Sequence, residues 1–184
     1  VEGAGAVLYA TQFIPEFGVG YGIWAAVFNS ISAFCNAGMD IVKEDSFRSY
    51  VTNPVINFTT MALIVLGGLG FIVWKDLWQS MKKLIKEKIP VKRIVQQLKF
   101  QTKIVLSIST FLILFGTVLI FLFEYHNPAT MGNLSLPGKV MASLFQAVTT
   151  RTAGFETVAQ GALTDASSLV SMFLMTRSEE HTSE

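Results

Sequence analysis

The chain has 184 residues, 51% of them hydrophobic and 15% charged, with 15 phenylalanines and a formal net charge of +1. That charge content lies well below the ~25% of soluble domains, which excludes an ordinary water-facing fold in favour of one solvated by a bilayer. A single cysteine, Cys35, excludes an internal disulfide framework.

The chain opens at Val1 without a signal-peptide pattern and is expected to be an internal fragment of a longer protein. Residues 22–35 (GIWAAVFNSISAFC) are apolar, but as a helix they would be only ~20 Å long, too short to cross a membrane. The run ends in Asn36-Ala37-Gly38, with Asp40 two residues further on. Residues 54–74 (PVINFTTMALIVLGGLGFIVW) form a 21-residue apolar stretch that predicts a spanning helix. The next connector is basic: nine of the 14 Lys and Arg residues fall between Lys75 and Lys103, against Asp76 and Glu87. Its apolar positions at 77, 81, 84 and 85, then at 91, 94, 95 and 98, mark two amphipathic faces divided by Pro90. Such faces suit anionic lipid or a cytoplasmic docking partner.

Residues 104–123 (IVLSISTFLILFGTVLIFLF) run 20 residues without a charge and predict a second spanning helix. The connector 124–137 holds no Lys or Arg. Residues 138–150 (GKVMASLFQAVTT) then repeat the short apolar pattern and lead to Thr152-Ala153-Gly154, with Glu156 two residues beyond. A last apolar stretch, 162–175, gives way to TRSEEHTSE (176–184), a tail too polar to continue a spanning helix and expected to be an artefact of the sequence end. The positive-inside rule assigns 75–103 to the cytoplasm and both 1–52 and 124–137 to the outside. Short segments that enter and leave on the same side are re-entrant, and their tips need protein or water around them because lipid cannot satisfy bare backbone groups.

A shift of 116 residues lays one short segment on the other. Gly22 meets Gly138, Ala26 meets Ala142, Ala37 meets Ala153, Gly38 meets Gly154, Val42 meets Val158, and Asp40 falls on Glu156. Upstream of the glycine a one-residue slip pairs Phe28 with Phe145, Asn29 with Gln146, Ile31 with Val148 and Ser32 with Thr149. A short helix whose C-terminal end faces the midplane offers partial negative charge. An extended stretch after it can aim carbonyls at a shared axis and replace a cation's hydration shell. Glycine suits the tip because its backbone reaches conformations that other residues avoid and lets main chains crowd together.

FIPEFG (13–18), SAFCNAGMDI (32–41), LGGLGF (66–71) and FQAVTTRTAGFETV (145–158) closely resemble the KtrB/TrkH family of potassium uptake transporters. The resemblance implies an all-α membrane protein in which four helix–pore-helix–helix units surround one pore, each giving a filter strand with a glycine. On that pattern 1–78 resembles the end of the second unit, with pore helix 22–35, filter 36–39 and inner helix 53–75. Residues 79–102 would be the cytoplasmic connector. Residues 103–175 resemble most of the third unit: outer helix 103–123, pore helix 138–150, filter 151–155 and the start of an inner helix at 162–175. Asn36, Ala37, Gly38, Thr152, Ala153 and Gly154 would then bind K+ through backbone carbonyls. Gly67, Gly68 and Gly70 resemble a small-residue helix contact surface. The resemblance further implies a homodimer, a cytoplasmic nucleotide-binding regulatory ring, and Na+ as co-ion or activator in some members. It places the protein in the cytoplasmic membrane as a multi-pass subunit.

Asp40 and Glu156 are either acids of a cation-concentrating outer mouth or solvated loop residues. Arg151 is expected to point behind the filter strand, His126 to lie in a surface loop and Cys35 to be a small buried residue. No nucleophile–base pair, metal-ligand cluster or phosphate-binding loop points to an enzyme, a resident cofactor or a nucleic-acid partner. Two other functions stay open: a carrier of a different solute with a midplane broken-helix site, and a non-conducting scaffold whose basic loop recruits a partner.

Overall fold

A computed structural model describes residues 1–42, 46–87, 98–150 and 153–176. The described residues form an all-helical protein, as expected for an all-α membrane fold. The helices are α1 (Glu2–Phe17), α2 (Val19–Phe34), α3 (Pro54–Gly67), α4 (Phe71–Glu87), α5 (Phe100–Glu124), α6 (Leu136–Thr149) and α7 (Asp165–Thr176). Short 3-10 turns occupy Arg48–Tyr50 and Gln160–Ala162. The chain divides into two compact units, one made of Val1–Gly68 with Ile113–Glu184 and the other of Leu69–Leu112.

In the first unit α1 and α2 form an antiparallel hairpin that turns on Gly18 alone, at φ 81° and ψ 167°. The Ser30 hydroxyl donates to the Glu2 carbonyl at 2.7 Å near the open end of this hairpin. Helix α3 starts on Asn53, whose side-chain oxygen accepts from the amides of Val55 and Ile56, and Pro54 fills the first helical position, where a missing N–H costs nothing. Asn57 then donates to the carbonyls of Tyr50, Val51 and Asn53 and so fixes the turn that feeds the helix. Tyr9 and Thr60 share a buried 2.6 Å hydrogen bond between α1 and α3. The core beneath holds Tyr9, Phe13, Phe47, Ile56, Phe145 and Phe155, each fully buried.

Helix α5 has 25 residues, ~38 Å of helix against a ~30 Å hydrocarbon core. Among the described residues it is the one helix both long and apolar enough to cross a membrane. Leu114, Val118 and Leu122 lie exposed on it, as a lipid-facing stripe would require. At its end the fully buried Glu124 accepts from the Thr164 amide at 2.8 Å, the Thr164 hydroxyl at 2.7 Å and the Asn127 side chain at 2.8 Å. Thr130 donates to the same carboxylate. These bonds satisfy a buried charge and pin the start of α7 to the end of α5.

The single spanning helix expected over 53–75 is not found. Helix α3 stops at Gly67, Gly70 adopts φ 76°, and α4 begins at Phe71. Three glycines within four residues weaken the helix enough for tertiary packing to break it. A Cβ on Gly67 would stand 1.8 Å from the Phe34 carbonyl oxygen, so only glycine lets α3 close on the end of α2. With 14 residues, α3 covers ~21 Å.

In the second unit α4 includes position 77 of the first expected amphipathic face, and the side chains at 81, 84 and 85 lie outside the described ones. Asp76 is buried and accepts from the Lys99 amide at 3.0 Å, while Trp78 is exposed with the Lys82 ammonium 5.6 Å from its ring centre. Most of the second face, residues 91–97, lies outside the described residues, as does the tail from 177 onward.

Candidate functional site

The two short helices expected at 22–35 and 138–150 are α2 and α6, and each runs into a turn at its glycine tip. After α2 the chain reverses through two left-handed residues, Asn36 at φ 53° and Gly38 at φ 68°. The Ala37 amide donates back to the Ser32 carbonyl at 2.9 Å. After α6, Gly154 is left-handed at φ 77°, and the amides of Ala153 and Gly154 donate back to the Thr149 carbonyl at 3.0 and 3.4 Å. Ser32 and Thr149, paired by the one-residue slip in the sequence, are thus the matched acceptors of the two turns. Thr152 and Arg151 lie outside the described residues.

The tips meet. A Cβ on Gly38 would lie 1.9 Å from the Ala153 carbonyl oxygen and 3.1 Å from the Gly154 α-carbon. No side chain fits there, and a left-handed backbone would strain one further. Of the six residues expected to bind the ion, the structure brings Gly38, Ala153 and Gly154 into contact, with Asn36 and Ala37 in the same turn as Gly38. Among the described residues, no amide or hydroxyl donates to the carbonyls of Asn36, Ala37, Gly38, Ala153 or Gly154.

The carbonyls one residue later are engaged. The Ser32 hydroxyl donates to the Met39 carbonyl at 2.5 Å, and the Thr149 hydroxyl donates to the Phe155 carbonyl at 2.8 Å.

A segment that sequence reasoning did not single out covers the second strand. The Phe47 amide donates to the Glu156 carbonyl at 2.9 Å, and the Glu156 amide donates to the Ser46 hydroxyl at 3.3 Å. Phe47 stacks on Phe155 with ring centres 5.1 Å apart and planes 4° from parallel. Arg48 pairs with the Glu156 carboxylate at 2.6 Å. Arg48 thus balances the charge of the partly exposed Glu156 carboxylate. Asp40 is half-buried, and among the described residues no ion pair involves it. Tyr50 closes the same segment by donating to Glu16, and burial first, then that carboxylate, pushes its phenol above the usual value.

Two smaller expectations are settled. Cys35 is exposed rather than buried, because it follows the last residue of α2 where the chain leaves the packed face. His126 sits in the turn after α5 with its ring against Tyr125. Among the described residues no cluster of three or more His, Cys, Asp and Glu side chains is placed to hold a metal ion.

Residues 3–180 match the TrkH family, described as a cation transport protein. Over 174 residues the chain is 39% identical to the Ktr system potassium uptake protein B of Vibrio alginolyticus, covering 95% of this chain and 36% of that protein. It is 34% identical to the potassium/sodium uptake protein NtpJ of Enterococcus hirae and 32% identical to the Ktr system potassium uptake protein B of Bacillus subtilis, with the same coverage. The chain therefore spans about a third of the length of the curated relatives it matches. On the match across nearly its whole length, the chain belongs to the TrkH family of cation transport proteins.

Proposed function

We propose that this chain is part of the pore-forming subunit of a potassium uptake system, with Asn36, Ala37 and Gly38 and Thr152, Ala153 and Gly154 forming two arcs of a carbonyl-lined selectivity filter. The observation that carries this reading is the contact of two left-handed glycines at the ends of two matched short helices, beside carbonyls that accept from no described donor. Such a site desolvates an alkali cation by substituting fixed dipoles for water, and helix C-terminal ends add favourable potential. Relatives named for potassium uptake favour K+ as the transported ion, and one named for potassium and sodium favours Na+ as a second.

In this reading two further units complete the ring in the intact protein, which works as a homodimer with a cytoplasmic nucleotide-binding ring. The protein lies in the cytoplasmic membrane with the basic 75–103 stretch facing the cytoplasm and anionic lipid, and with the filter mouths outside. Asp40 contributes charge at the mouth, while Glu156 acts mainly through Arg48.

Replacement of Gly38 or Gly154 by Ser in the intact parent, reconstituted in liposomes, tests the reading. Rubidium tracer uptake is expected to lose discrimination against Na+ by about fivefold or more, the range that about 1–3 kcal/mol of backbone strain produces. Unchanged discrimination at normal protein levels would contradict the filter.

A further inference from the structure

Buried hydroxyls on helices usually donate one turn back, to the carbonyl four residues earlier. Thr60 does so to Ile56, Ser143 to Lys139 and Thr150 to Gln146. Ser32 and Thr149 do the opposite. Each reaches forward across the glycine tip, Ser32 seven residues to Met39 and Thr149 six residues to Phe155. Both side chains are buried, at 5% and 2% exposure, so each hydroxyl needs a partner and has one direction in which to find it. The two bonds occupy matched positions in the repeat, and each carbonyl they hold directly follows the left-handed glycine.

We propose that Ser32 and Thr149 are positioning residues of the filter: each hydroxyl ties the first carbonyl beyond the glycine back to its own short helix. The tie withdraws that oxygen from the ion path and fixes the strand's register, so the run of ion-facing carbonyls ends at Gly38 and at Gly154. With the same residue's main-chain oxygen accepting the returning amide, the strand is held at both ends of its turn. Loss of the hydroxyl frees the Met39 or Phe155 peptide to rotate, and the upstream carbonyls lose their fixed spacing. A cation whose selectivity depends on that spacing is then bound with less preference. This inference rests on the filter reading above.

The test uses the intact parent in liposomes, with rubidium uptake measured against rising Na+ and normalised to protein in the membrane. Ser32→Ala and Thr149→Val are each expected to raise half-saturating rubidium and to weaken discrimination by about two- to tenfold, the worth of one net hydrogen bond. Ser32→Thr and Thr149→Ser, which keep the donor, are expected to stay within about twofold of the parent. Where an Ala or Val variant fails to accumulate, Ser32→Cys or Thr149→Cys replaces it, since a thiol is a weak donor and the same loss is expected. Parent-like discrimination in the hydroxyl-free variants, or equal loss in the hydroxyl-keeping ones, would overturn the proposal. Gly38→Ser and Gly154→Ser run alongside. If they alone lose discrimination, only this inference fails; if they too behave as the parent, the filter itself fails.

Discussion

The α2 hairpin and the α6 hairpin are built on one plan but sit in their surroundings differently. Nine of the 14 residues of α6 are buried, against seven of the 16 in α2, which keeps an exposed stripe of Ile23, Trp24, Val27 and Ile31. Gln146 in α6 exchanges amide hydrogen bonds with Gln160, whereas its counterpart Asn29 donates to Ala25 and leaves its side-chain oxygen without a partner among the described residues. After the glycine, Phe155 is fully buried on Phe47, while the equivalent Met39 is 60% exposed. What stays constant through these differences is the left-handed glycine and the forward-reaching hydroxyl. The backbone geometry is the shared design, and the side-chain packing around it is local.

That contrast can be broken first at the glycines. Gly38→Ala should abolish selective uptake, because its Cβ meets the Ala153 carbonyl at 1.9 Å in addition to left-handed strain. Gly154→Ala meets nothing nearer than 3.7 Å and should cost only the strain, about 1–2 kcal/mol, or roughly five- to thirtyfold in discrimination. Equal effects in the tracer assay would show that crowding at the tips is not what separates them. At the next position, Phe155→Ala should destabilise the protein by about 3–5 kcal/mol, while Met39→Ala should stay within about 0.5 kcal/mol, both read from thermal unfolding in detergent. In the helices, Gln146→Leu takes this partner from the half-buried amide of Gln160 and should cost about 0.5–1.5 kcal/mol. Asn29→Leu removes an oxygen that already lacks a partner along with the one bond to the Ala25 carbonyl, and should cost less, under about 1 kcal/mol. Smallest is Arg48→Gln: the pair with Glu156 is 40% and 30% exposed, so the loss should be under about 1 kcal/mol and fade with added salt.

Much of this architecture was legible in the sequence because it follows from length and periodicity. The long apolar run at 104–123 became α5, and the two runs too short to span became α2 and α6 within a few residues. The break of 54–74 at Gly68–Gly70 was not read, because hydropathy sums side chains and is blind to backbone packing such as that of Gly67 on Phe34. Arg48 and Phe47 were missed for another reason: they meet Glu156 and Phe155 across more than 100 residues of chain, a pairing with no local signal. Ser32 and Thr149 did leave a signal, since the slip that aligns them was visible. Their role was not, because a hydroxyl near a helix end ordinarily bonds backward.

The central claim is that main-chain oxygens at the two glycine tips hold the ion. Rubidium soaked into crystals of the intact parent and located by its anomalous scattering tests this most directly. The account predicts a peak beside the carbonyls of 36–38 and 152–154, with none held by the carbonyls of Met39 and Phe155. A peak seated instead among carboxylates, or no ordered rubidium at the tips under conditions that support uptake, would contradict it.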